Sequence, residues 1–215
     1  MFVGHYSAAF ALKASQPRVP LWAMFLAVQA VDIGWALLVM AGIEKARVVP
    51  GFTAAFPVEL YYMPYTHSLL ATAIWATALG LAYLAWRRGD GRAAALAVAA
   101  AVASHWFLDL LVHAPDLPLY GDQHKQGLGL WNYPLPELAL ELGLLAGAIL
   151  LYVRALPQHA RRAWTLGAVL ALVQAGHTLG PWLMNDARGV AAMALGGYLV
   201  FAVAAGWAER GAAPA

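Results

Sequence analysis

Apolar residues form long runs along this chain, separated by short stretches rich in charge, proline or glycine. Each run is close to the roughly 20 residues that an α-helix needs to cross a membrane. The pattern predicts six spanning helices, over Leu21–Gly42, His67–Trp86, Ala93–His113, Pro136–Arg154, Ala163–Leu183 and Gly189–Ala208. We therefore expect an all-α, polytopic membrane helix bundle that forms a single domain over residues 1–215.

A shorter apolar segment, Met1–Lys13, precedes the first predicted span. A helix over Met1–Ala14 would be about 21 Å long, less than the roughly 30 Å of a hydrocarbon core. The segment is therefore expected to be a half-helix that enters the membrane or a helix that lies flat at the interface.

Composition supports the membrane class. Hydrophobic residues make up 62% of the 215 residues and charged residues only 11%, whereas soluble domains carry about 25% charged residues. The chain has no cysteine, which excludes disulfides and thiolate metal sites. Its formal net charge of +2 is small and dispersed, which argues against a nucleic-acid partner.

Basic residues orient the predicted bundle, because they concentrate in alternate loops. The loops and flanks of one side contain Lys13, Arg18, Arg87, Arg88, Arg92, Arg154, Arg161 and Arg162. By the positive-inside rule this side faces the cytoplasm, and both termini are then cytoplasmic. Lys45 and Arg47, on the opposite side, reduce the contrast.

The third predicted span contains a polar pair, His105 and Asp109, within an apolar sequence. The two residues are one helical turn apart, so both side chains project from the same helix face. Burying an imidazole and a carboxylate in hydrocarbon costs several kcal/mol unless something compensates. A divalent metal is the simplest compensation, because it neutralises the carboxylate and binds the imidazole lone pair.

Other acids and histidines are predicted at a similar depth, in the half of the bundle away from the cytoplasm. The candidate metal ligands are His5, Asp32, His67, His105 and Asp109. His5 belongs to this set only if the first segment enters the membrane, and the pattern leaves open whether His113 and His177 join it. The loop residues His124, His159, Asp116 and Asp122 are expected to be solvated.

Imidazole and carboxylate ligands without thiolates suit Zn²⁺ first, with Mn²⁺ or Fe²⁺ as alternatives. Such an ion activates water, which predicts a membrane-embedded hydrolase of an ester or phosphoester. Glu141 or Glu137 would serve as the general base, and Ser68 would form a hydrogen bond with the substrate. Because the site would open near the outer interface, the expected substrate is a membrane lipid or a lipid-linked small molecule.

The segments Gly4-His5, Asp32, Thr66-His67-Ser68 and Ser104-His105-Trp106-Phe107-Leu108-Asp109 follow one another over the first half of the chain. Their order resembles that of the YdjM family of inner-membrane metal-dependent hydrolases. The resemblance implies a bacterial inner (plasma) membrane protein that keeps the family's metal ligands. The surroundings differ, because Met63-Pro64-Tyr65 stands where the family has His-Arg-Gly, and Asp32 is single where the family has paired aspartates.

Two other interpretations fit the same residues. Acids and histidines inside a bundle also line the paths of transporters and of ion- or proton-handling proteins, although these usually need polar groups towards both faces. Alternatively, the buried polar groups only lock the packing of the helices. Replacing them would then reduce stability without releasing a metal.

Overall fold

The computed structural model describes residues 1–210 and is mostly helical. The described chain contains eight α-helices: α1 (Gly4–Ser15), α2 (Leu21–Val28), α3 (Ala30–Met40), α4 (Leu69–Trp86), α5 (Gly91–Val112), α6 (Pro134–Ala155), α7 (Ala160–Leu179) and α8 (Ala187–Glu209). The predicted all-α helical bundle is confirmed at this level.

Four helices are long and apolar enough to cross a membrane, namely α4, α5, α6 and α8. A fifth span results if α2 and α3 are counted together, since they meet at an angle of 52° across a short break. That pair covers the predicted span Leu21–Gly42. The helix α7 does not meet the same criterion, and its sequence explains why. Arg161 and Arg162 lie in its first turn, and Gln174, His177 and Thr178 interrupt its apolar run near the other end.

The first helix, α1, packs inside the bundle. Val3, Tyr6 and Phe10 are fully buried in the main apolar core, which also contains residues of α2, α5, α6 and α8. This packing within the bundle favours the half-helix alternative over a helix that lies flat at the interface. Because α1 starts at Gly4 and ends at Ser15, His5 and Lys13 lie near its opposite ends.

The alanine-rich part of α5 packs tightly against α4. A Cβ atom at Gly80 would lie 2.9 Å from the Ala99 Cβ and 3.2 Å from the Ala95 carbonyl oxygen. Only glycine fits this contact without a shift, so the two helix backbones approach closely there. The approach fixes the position of α5, which contains His105 and Asp109.

A small β-hairpin, which the hydrophobic pattern did not predict, lies between α3 and α4. Its strands, β1 (Lys45–Val48) and β2 (Val58–Tyr62), pair antiparallel. The buried residues Val58, Leu60 and Met63 form a second apolar cluster with α3 and α8. This hairpin covers the end of the bundle where α4 begins, and it leads directly into Thr66 and His67.

Candidate metal centre

The five predicted metal ligands come together in the structure. His5 lies in the first turn of α1, Asp32 in the first turn of α3 and His67 just before α4, while His105 and Asp109 are in α5. Their ligand atoms form two groups that share His105, and either group could hold a metal ion. The groups are His5, His105 and Asp109, and Asp32, His67 and His105. Elements far apart in the sequence thus build one centre.

Asp109 occupies the middle of this centre. Its Oδ1 atom lies 3.0 Å from Nε2 of His5, and its Oδ2 atom lies 3.1 Å from Nε2 of His105. Nε2 of His67 is 3.7 Å from the same Oδ2. The two carboxylate oxygens therefore face different imidazoles, as in a carboxylate that bridges two ions.

Asp32 approaches the same imidazoles from α3. Its Oδ1 atom is 3.2 Å from Nε2 of His67 and 3.5 Å from Nε2 of His105. Its other oxygen accepts a hydrogen bond of 2.9 Å from the Tyr198 hydroxyl. The tyrosine therefore orients the carboxylate towards the two histidines.

His113, which the sequence left open, joins the centre, and His177 does not. Nε2 of His113 lies 3.5 Å from Oδ2 of Asp109, and the side chain is only 2% exposed. His177 instead lies among aromatic rings, 5.2 Å from Phe2 and 5.7 Å from Phe56 between ring centroids. It is therefore a wall residue of a nearby cavity.

In His67, His105 and His113, the ring nitrogen that faces away from Asp32 and Asp109 is Nδ1, and each Nδ1 bonds to a specific acceptor. Nδ1 of His105 donates to the Val28 carbonyl over 2.8 Å, at the point where α2 breaks. Nδ1 of His113 donates to Asp116 over 2.7 Å. Metal-binding histidines usually make such a bond, which fixes the tautomer and directs the other nitrogen to the metal.

His67 is held by a two-step relay. The Thr66 hydroxyl donates to Oε2 of Glu44 over 2.6 Å, so it accepts from Nδ1 of His67 at 2.9 Å. Glu44 is itself anchored by the backbone N–H groups of Tyr65 and Thr66. Both Glu44 and Thr66 are buried, and neither was predicted from the sequence to support the site.

Asp116 corrects one expectation. It was predicted to be solvated, yet it is only 7% exposed because the loop after α5 folds back over the helix end. The sequence did offer a sign of this contact, because Asp116 follows His113 by three residues and its carboxylate can reach the His113 ring.

These outer bonds leave the inner Nε2 lone pairs directed at carboxylate oxygens, which are also acceptors. Nε2 of His105 is buried and has no hydrogen-bond partner among the described residues. Protonating His67, His105 and His113 would supply donors, but His67 lies 5.3 Å from His105 and 6.2 Å from His113 between ring centroids, so the three cations would repel. A divalent cation resolves the mismatch, because each lone pair and each carboxylate can bind it. The donor set therefore fits a metal.

The Met1 amino group is the cation nearest to this centre, and it pairs with Asp109. The bond that this ammonium makes in the described structure is to Oδ1 of Asp109, and Nε2 of His105 still has no donor there.

The predicted catalytic residues make other contacts. Glu141 accepts backbone N–H groups from Phe2 at 3.1 Å and from Gly4 at 2.7 Å, at the start of α1. Glu137 accepts from Gln174 and Thr178 at 3.0 Å each. Both acids are buried, and their role as general base stays a prediction.

Ser68 belongs to the local structure of α4. Its hydroxyl donates to the Pro64 carbonyl over 2.8 Å and accepts from the Ala71 N–H as the N-cap of the helix. It lines a shallow pocket with Tyr65 and Trp75, separate from the cavity that adjoins the metal ligands.

That cavity has a volume of about 360 Å³. Asp32, His67, Asp109 and His113 form its polar end. The remaining wall is largely apolar and aromatic, with Trp35, Phe56, Trp131, Trp182 and Phe201 among its residues. Such a shape and lining are typical of a small-molecule site in which a few polar groups fix the orientation of the ligand.

Comparisons with models of known protein families, with curated proteins and with solved structures found no match to this chain. The resemblance to the YdjM family therefore stays a prediction, and the geometry of the site carries the functional argument.

Proposed function

We propose that this protein is a membrane-embedded, metal-dependent hydrolase of a lipid or lipid-linked ester or phosphoester. The observation that carries the proposal is the convergence of four Nε2 atoms, from His5, His67, His105 and His113, on Asp32 and Asp109. In such a site a bound divalent ion activates water and stabilises negative charge on the substrate. We expect Zn²⁺, with Mn²⁺ or Fe²⁺ as alternatives.

In the proposed reaction, water adds across the scissile bond. Its oxygen joins the acyl or phosphoryl group, and a proton passes to the departing alcohol. The imidazoles and carboxylates would hold the ion, and the Tyr198 hydroxyl, which donates to Asp32, would keep that carboxylate in place. Glu141, or Glu137, is proposed to take the proton from water, because both are buried acids on the adjacent helix α6.

A lipid substrate is proposed because the polar end of the cavity is continuous with a long apolar wall. The helix α5, which carries His105 and Asp109, and the helix α4, which follows His67, are also long and apolar enough for a membrane. We propose six spans, with α2 and α3 together as the first and α7 included, in a bacterial inner membrane with both termini in the cytoplasm. The site then lies near the outer leaflet.

The orientation can be tested by labelling single cysteines, since the natural chain has none. Gly89 and Gln158 lie at the end of the bundle rich in arginine, and Gln123 lies at the end near the site. A cysteine at Gln123 should react with an impermeant reagent in intact cells, whereas cysteines at Gly89 and Gln158 should not. The reverse pattern would place the site on the cytoplasmic side.

The function is tested by metal analysis and turnover on protein purified without chelators. We expect one or two divalent ions per chain and hydrolysis of p-nitrophenyl butyrate or bis(p-nitrophenyl) phosphate in detergent. His105→Ala should lose both properties, while His159→Ala, at the other end of the bundle, should keep them. Full metal occupancy in the His105→Ala variant would refute the proposed site.

A transporter is the second candidate, and two features of the fold favour it. The break between α2 and α3 adjoins Asp32, and the short helix α1 begins beside the cluster, as discontinuous helices do at transporter binding sites. Beyond the cluster, however, towards the C-terminal end of α1, this helix is enclosed by the apolar core, and no polar path continues there among the described residues. Metal-dependent flux in proteoliposomes, without hydrolysis by metal-loaded protein, would establish the transporter instead.

A further inference from the structure

Exposed lining residues indicate where the cavity beside the candidate metal centre reaches the surface of the bundle. All its lining residues belong to the described part of the chain, and two of them are exposed: Val173, at 39%, and Met193, at 51%. Val173 belongs to α7 and Met193 to α8, so the opening lies in the seam between these helices. The cavity therefore opens sideways.

The surface around this opening is apolar. Leu172 on α7 and Leu199, Val200 and Val203 on α8 are each more than half exposed. In a membrane these side chains contact lipid, because α8 is apolar enough to span the bilayer. A molecule entering through the seam would come from the hydrocarbon of the bilayer without crossing water.

One glycine on α8 leaves the cavity open. Gly197 lines the cavity, and a Cβ atom placed there would meet nothing within 4 Å. The adjacent Gly196 also has free space around a Cβ atom, but it is exposed and lies outside the cavity lining. A larger side chain at Gly197 would project into the cavity, whereas one at Gly196 would project towards lipid.

We propose that the cavity binds the hydrocarbon chain of a membrane lipid, which enters between α7 and α8, and that Gly197 provides the room for it. The scissile polar group would then lie at Asp32, His67, Asp109 and His113, which form the other end of the same cavity. The inference rests on the proposed function for the reaction, but the chain site itself rests on the shape and lining of the cavity.

The test uses two phosphonates that share a polar group and differ in the chain, dodecylphosphonate and methylphosphonate. In metal-loaded protein, dodecylphosphonate should slow the modification of the Gly197→Cys variant by a methanethiosulfonate reagent at least about tenfold, because the chain would cover that position. Methylphosphonate should have no effect there. In the matched Gly196→Cys variant, neither phosphonate should change the rate of modification by the methanethiosulfonate reagent.

A second pair of variants measures affinity. Gly197→Leu should weaken dodecylphosphonate binding about tenfold or more, because it fills the space for the chain, and should leave methylphosphonate binding unchanged. Gly196→Leu should change neither. If Gly197→Leu does not fold, the cysteine pair still decides the question.

If dodecylphosphonate does not slow the reaction of Gly197→Cys with the methanethiosulfonate reagent, the chain site is wrong. This holds even if metal is bound and bis(p-nitrophenyl) phosphate is hydrolysed. Protection of Gly197→Cys in a protein that binds no metal and hydrolyses neither test compound would support the chain site and refute the hydrolase. The two failures are therefore distinguishable.

Discussion

The helix α1 connects two buried sets of ionisable groups that differ in one respect. At its C-terminal end, Lys13 is 4% exposed and donates to Glu209 at 2.6 Å and to the carbonyls of Pro17 and Val19 at 2.7 and 2.8 Å. The second oxygen of Glu209 accepts the Leu21 N–H. All three ammonium donors have an acceptor, so this set is complete within the protein.

At the other end of α1, His5 belongs to a set that is not complete. Acceptor nitrogens of His67 and His105 face acceptor oxygens of Asp32 and Asp109, and outer hydrogen bonds hold both rings in that orientation. The comparison shows that burial of charge alone does not identify a functional site, because α1 buries charge at both ends. Unmatched acceptors that converge on one point distinguish the candidate metal centre from the structural ion pair.

The largest effect is expected for Asp109→Asn. The amide removes the negative charge and one acceptor from the middle of the centre, so bound metal should fall to background. Glu209→Gln, the matched change in the ion pair, should retain full metal content. Elemental analysis of both purified variants measures bound metal, and equal metal content in the two would show that the two buried sets do not differ in metal binding.

The next effect concerns stability at the opposite end. Lys13→Ala removes the partner of a partly buried carboxylate and should lower the free energy of unfolding by about 3 kcal/mol. Thermal unfolding of the purified protein measures the shift, and metal content should not change. The double variant Lys13→Met with Glu209→Gln should recover much of the loss, since no charge is then left unpaired. No loss in Lys13→Ala would show that the pair is energetically neutral.

The sequence predicted the candidate metal ligands better than the groups that hold those ligands in place. His105 and Asp109 were found from helical spacing alone, and His5 from its depth on a half-helix, because regular helix geometry fixes both relations. The contact between Glu44 and Thr66 depends on the hairpin, which brings the chain back over the end of the bundle. No hydrophobic periodicity predicts such a hairpin. The Val28 carbonyl becomes available only because the predicted first span breaks after that residue.

A smaller effect is expected when an outer hydrogen bond is removed. Thr66→Val keeps the shape of the side chain but breaks the link between His67 and Glu44. Metal affinity should fall about 10- to 100-fold, the usual cost of losing such a partner. Thr77→Val is the control, because the exposed Thr77 hydroxyl donates only to the Ala73 carbonyl of its own helix. Competition with a chelator of known affinity provides the measurement, and unchanged affinity in Thr66→Val would show that the relay does not orient His67.

The smallest effect on metal content is expected for Glu141→Gln. The carboxylate accepts N–H groups from Phe2 and Gly4 at the positive end of α1, and its loss should cost about 1 kcal/mol of stability. The metal should stay bound, because no ligand is changed. If Glu141 is also the general base, turnover should fall about 100-fold or more, well beyond what the loss of stability explains. Glu137→Gln is the matched variant, and a larger loss of turnover there would assign the base to Glu137. A variant of Glu141 that loses its metal would instead show that α1 needs this carboxylate to hold His5 in the centre.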